Sequence, residues 1–138
     1  VLLYVSNSNY FGTDDELELL NYIFKNSKKS KIFVLNKMDT FKAKYDSIEK
    51  MIKNFKEILL HFNCQSKVFP VSAEAAFYSK QSPKMLDSDE IVEYEQYKRK
   101  FDNNYYDLPF YCEGKCSNNF TDRTGITLIE KTIKNIIQ

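Results

Sequence analysis

The chain has 138 residues, 43% of them hydrophobic, enough for one domain that buries roughly two-thirds of its unfolded surface. Its 20 Lys and Arg nearly balance 19 Asp and Glu, a formal net charge of +1, so no global field marks nucleic acid or an acidic membrane as a partner. No stretch reaches the roughly 20 apolar residues of a transmembrane helix, and no charged region precedes Val1–Val5 as in a signal peptide. The expected location is cytoplasmic.

The first run, V-L-L-Y-V, is continuously apolar and predicts a strand covered on both faces, as in a parallel sheet. A chain that opens inside such a strand, without Met, reads as a fragment. Thr13 then opens T-D-D-E, a capping box with Glu16, and Asp14 and Asp15 suit the positive end of a helix. Leu17, Leu20, Ile23 and Phe24 recur at helical spacing. The basic cluster Lys28, Lys29 and Lys31 reads as a solvated helix end, and a second strand is predicted over 31–35.

From Asp46 the spacing is helical again, with Ile48, Met51, Ile52, Phe55, Ile58, Leu59 and Phe62 on one stripe. A third strand is predicted over 67–71, where Pro70 suits an edge strand or a strand end better than a central strand. Strand, helix, strand, helix, strand is the order of parallel βαβ units, so the fold class is α/β with at least three parallel strands.

Residues 81–122 interrupt this order as an insertion. A helix from Ser88 would set Ile91, Tyr94, Tyr97, Phe101 and Tyr105 near one face, and 103–119 reads as a loop. The tyrosines suit either an interface or, favoured by burial, packing on the domain. A closing amphipathic helix follows Thr124-Gly125. Cys112 and Cys116 are spaced C-x3-C and His61 lies one helical turn before Cys64, a Cys3His set on paper. The usual short-spaced partner pair is missing, so no metal site is assigned and reduced thiols are expected.

In an open α/β sheet, ligands sit beyond the carboxyl ends of the strands, where two polar stops fall: Asn36-Lys37-Met38-Asp39 and Ser72-Ala73-Glu74. A carboxylate accepts two parallel N–H bonds, which suits the N1–H and exocyclic amine edge of guanine and not adenine. The Lys37 stem can lie along a base face with its charge in water, and Asn36 can tie the loop down. Each stop alone reads better as a turn or helix cap, with Ser72 as an N-cap. Both in order on successive strands favour a joint guanine site.

Here the sequence resembles the GTPase superfamily, whose guanine-specificity motif is N-K-x-D and whose S-A-K or S-A-x loop offers the Ala backbone N–H to the guanine carbonyl. Glu74 stands where Lys is commoner. More narrowly, V-L-L-Y-V-S-N, F-G-T-D-D-E-L-E-L-L, F-V-L-N-K-M-D and F-P-V-S-A-E-A-A-F resemble bacterial dynamin-like GTPases. That resemblance implies a P-loop NTPase fold. Residues 1–138 would be the C-terminal portion of one GTPase domain, with Asn36, Lys37, Asp39, Ser72, Ala73 and Glu74 binding guanine and GTP or GDP as ligand. It further implies a parent that hydrolyses GTP, self-assembles and attaches peripherally to membrane lipid through other regions.

Phosphate chemistry needs a glycine-rich loop followed by Lys and Ser or Thr, and the only glycines are Gly12, Gly114 and Gly125. Gly114-Lys115 runs into Cys116, and Pro109 stands where the first loop glycine belongs. The D-x-x-G match at Asp122 to Gly125 follows the base motifs and precedes a helix, so it reads as accidental. No catalytic residue is assigned. The P-loop, and Mg2+ with it, are expected upstream in a missing N-terminal half, and these residues alone are expected to be inactive. Two alternatives remain: a non-catalytic protein-interaction module on a degenerate nucleotide-binding fold, and a fragment of a small or ribosome-associated GTPase.

Overall fold

The computed structural model describes residues 1–40, 47–103 and 106–138; Asp46 and Tyr105, named above, lie outside them. Three parallel strands, β1 (Leu2–Asn7), β2 (Lys31–Asn36) and β3 (Val68–Pro70), form a sheet in the order β1-β2-β3. The chain is therefore α/β, as its element order predicts. Pro70 sits on edge strand β3, where its missing N–H breaks no ladder. Among the described residues no helix is long and apolar enough to cross a membrane.

Pleating sends alternate β2 residues to opposite faces. Phe33 and Leu35 join the larger core with Leu20 of α1 (Asp14–Asn26) and Ile48, Ile52, Phe55 and Leu59 of α2 (Ile48–Leu60). Each fully buried side chain of this size contributes about 1.5–3 kcal/mol of transfer free energy. Ile32 and Val34 face the other way, where they meet Phe69, Val71 and Ile129, the last on α7 (Ile126–Ile137). Helices thus cover both faces of β2.

The expectation of a doubly covered first strand needs correction. Tyr4 is buried, but Leu3 and Val5 are 47% and 53% exposed. In register they lie beside Ile32 and Val34, so they share the α7 face, and α7 packs on β2 and β3 without reaching β1. The strand also runs on to Asn7, because Ser6 turns inward to the carboxylate of Glu16. That contact alters the expected capping box. Thr13 Oγ1 accepts the Glu16 N–H at 3.3 Å, but the Glu16 side chain takes Ser6, the Tyr4 hydroxyl at 3.0 Å and the Gly12 N–H instead of returning to Thr13.

After α3 (Ala73–Ser79), the interrupting segment holds α4 (Ser88–Phe101), which starts at Ser88 as expected and is capped by Asp87, whose capping box with Glu90 is complete. Its aromatic side packs inward: Phe101 is buried, Tyr97 stacks on Tyr78 with centroids 5.6 Å apart, and Tyr94 meets Phe120 edge-on at 6.2 Å. The expected 103–119 loop contains a short helix, α5 (Phe110–Glu113), stopped by Gly114 in the left-handed conformation at φ 68°. A second short helix, α6 (Phe120–Arg123), is capped by Asn119, whose amide also bonds the Asp122 carboxylate. The D-x-x-G match is thus a helix corner, and Thr124 and Gly125 form its turn into α7.

Candidate functional site

The two polar stops converge at the carboxyl ends of β2 and β3. Ser72 caps α3, its Oγ accepting the Ala75 N–H at 3.2 Å. With that lone pair occupied, the hydroxyl proton points to Asp39 Oδ1, 2.6 Å away. Ser72 is a helix cap and a carboxylate anchor at once, so the two readings of this residue are not alternatives. Asp39 is 8% exposed, and its Oδ2 has no protein partner among the described residues.

Asn36 stands at the end of β2 and accepts the Ala73 N–H on Oδ1 at 3.0 Å, joining the loops side chain to backbone. The Met38 N–H bonds the Val71 carbonyl at 3.2 Å. The Ala73 N–H, assigned by resemblance to a guanine carbonyl, is therefore committed to Asn36. At the start of α3, Ala73 and Ala75 N–H are both bonded to side chains, and the intervening Glu74 N–H has no protein partner among the described residues. Glu74 and Ala73 are solvent-exposed.

Lys37 adopts the left-handed conformation at φ 63°, which costs a residue with a Cβ about 1–2 kcal/mol. Its carbonyl is held by two hydroxyls, Ser8 Oγ at 3.1 Å and Thr40 Oγ1 at 2.9 Å, and Thr40 also bonds Asn9 at 3.1 Å. The turn leaves the Lys37 side chain exposed, free to lie along a planar ligand. Nothing in the sequence singles out Ser8 and Thr40, because single hydroxyl residues in turns are common. A third brace comes from the Thr124 carbonyl, which accepts the Ser72 N–H at 3.0 Å.

Helix α4 completes the surroundings. A cavity of about 230 Å³ is lined by Asp39 together with Glu93, Gln96, Tyr97 and Lys100 of α4. That is smaller than the roughly 300–1,000 Å³ of whole-ligand pockets and suits a single ring system. Burial, then the Asp39 and Glu74 carboxylates, push the Tyr97 phenol well above its ordinary range, so it stays a neutral hydrogen-bonding hydroxyl. A larger cavity of about 420 Å³, lined by residues including Lys53, Lys56, Phe110 and Tyr111, lies elsewhere and includes none of the strand-end residues.

The described residues hold no group of three or more His, Cys, Asp or Glu arranged for a metal ion. Cys112 donates to the Val68 carbonyl at 2.9 Å and Cys64 pairs with Ser66 at 3.2 Å, so both thiols serve local packing. No family model, curated protein or solved structure matches the chain.

Proposed function

We propose that this chain is the guanine-recognising part of a GTPase domain with the P-loop NTPase fold, most like the dynamin-like GTPases. The observation that carries the reading is the nearly buried Asp39 carboxylate, fixed through Oδ1 by Ser72, without a partner at Oδ2 among the described residues, in a residue that lines a ring-sized cavity. A turn or cap cluster has no need for a second strand's hydroxyl to orient a carboxylate whose other oxygen stays open. In this reading Asp39 accepts the guanine N1–H and exocyclic amine, and Lys37 covers one base face. The Glu74 N–H, in place of Ala73, meets the guanine carbonyl, while Asn36 and Ser72 act as positioning residues.

The reading extends to the whole protein. The uncovered Leu3 and Val5 and the unpaired edge of β1 support a domain in which further strands carry the phosphate loop, and Mg2+ would enter with GTP through that part. GTP hydrolysis, self-assembly and peripheral membrane attachment of a cytoplasmic parent rest on the resemblance. The test is binding of fluorescent GDP and ADP analogues to the full-length protein. Strong preference for GDP is expected, since a site built on hydrogen bonds rejects an analogue lacking them by up to about 10⁴–10⁵-fold. Equal binding, or none, rejects the proposal.

A further inference from the structure

Helix α4 belongs to the segment that interrupts the strand and helix alternation, yet its inner face is turned to the base-reading loop. Lys100 sends Nζ to the backbone carbonyl of Asp39. The same ammonium lies 4.8 Å from the centre of the Tyr106 ring, a cation–π contact that holds it from a second side. One turn earlier, Tyr97 stacks on Tyr78 of α3. Four of the five residues around the Asp39 cavity come from α4.

We propose that α4 is the outer wall of the base site, with Lys100 a positioning residue that fixes the Asp39 loop for the two-donor edge of guanine and Tyr97 a ring surface against the base. This rests on the guanine reading of Asp39 and adds to it a residue 61 positions away in the chain. The chemistry follows from where each group acts. Asp39 is held at its side chain by Ser72 and at its main chain by Lys100, so rotation of the short turn is restrained at both ends. A charge-assisted bond to a carbonyl is among the stronger kinds. A base seated on Oδ2 meets the cavity that α4 closes, so guanine occupancy and α4 placement are coupled.

The experiment measures GDP, IDP and ADP binding to the full-length protein and to Lys100→Met and Lys100→Arg. Inosine lacks the 2-amino group, so the GDP to IDP ratio reads the placement of Asp39 separately from general binding. Lys100→Met is expected to weaken GDP about tenfold, the loss of one charged hydrogen bond, and to compress the GDP to IDP ratio, with Lys100→Arg restoring both. Wild-type affinity in Lys100→Met, or equal losses of GDP and IDP, overturns the inference. Hydrogen exchange of the 88–101 amides in the wild type, with and without GDP, gives a readout that needs no variant. Slower exchange with GDP supports the coupling, and unchanged exchange at saturating GDP overturns it. Failure of the wild type to prefer GDP over ADP instead overturns the base-site reading, and this inference with it.

Discussion

Ser72 and Asp39, 33 residues apart, meet at 2.6 Å because one hydroxyl divides its two hydrogen-bonding capacities between a helix start and a carboxylate. That division makes the geometry directional: the Ala75 N–H occupies a lone pair, and only the proton remains for Asp39. Ser72→Ala removes a cap, about 0.5–2 kcal/mol, and a hydrogen bond to a buried charge, about 1.5–3 kcal/mol. Because one atom makes both bonds, the losses overlap, and a destabilisation of about 2–4 kcal/mol in urea unfolding is expected. Ser72→Thr keeps the hydroxyl and is expected to lose much less. Equal losses would show that the hydroxyl is not what matters.

Gly125 and Gly114 both have positive φ, 83° and 68°, but different surroundings. A Cβ on Gly125 would lie 2.3 Å from the Pro70 carbonyl oxygen, whereas one on Gly114 meets nothing within 4 Å. Gly114→Ala therefore costs the left-handed penalty alone, about 1–2 kcal/mol. Gly125→Ala adds a backbone clash beside the Thr124 carbonyl that braces Ser72, and is expected to be clearly the more destabilising. Thermal melts of the two variants check this, and equal shifts would contradict the close packing of the α7 start on β3.

Burial pushes the Cys112 thiol up from 9.0 to about 11, against the lowering influence of Lys56 and Lys67. In the unfolded chain the thiol ionises at lower pH than in the fold, so its contribution to stability is fully present below about pH 9 and is lost as pH rises toward 11. Alkylation by iodoacetamide at pH 8 is expected to modify exposed Cys116 and spare Cys112, and mass spectrometry of the peptides distinguishes them. Equal labelling in the folded protein would contradict the partly buried, hydrogen-bonded Cys112 thiol.

The unpaired edge of β1 and the exposed Val1, Leu3 and Val5 predict that the 138-residue chain by itself self-associates. Leu3→Lys with Val5→Glu is expected to shift the sedimentation profile toward monomer without loss of helical signal. A wild-type chain that is monomeric with a cooperative melt would contradict an open edge at β1.

The strand and helix order was legible because it rests on periodicity: the α2 stripe from Ile48 to Phe62 packs into the larger core throughout. The strand-end motifs were legible as residue types, and their mutual contacts follow from neighbouring parallel strands. What local pattern does not encode is which long side chain crosses from another element. Lys100 reads as one of several charges near the end of α4, and only the packing of α4 on α3 brings it to Asp39. The cover of β1 was misjudged for the same reason: an apolar run shows that a strand has two apolar faces, not that two layers reach it. The Ala73 N–H, which the resemblance gives to a guanine carbonyl, is bonded to the Asn36 side chain, whose direction the sequence does not encode.

The most direct measurement is the affinity of full-length Asp39→Asn for GTP and xanthosine triphosphate, each against wild type. An amide in place of the carboxylate keeps one acceptor and gains a donor, matching the xanthine oxygen that replaces the guanine amine. GTP binding is expected to fall by about two orders of magnitude, because the bond to the exocyclic amine is lost and the acceptor of the N1–H loses its charge, while xanthosine triphosphate binding rises. Unchanged selectivity between the two would contradict Asp39 as the group that reads the base.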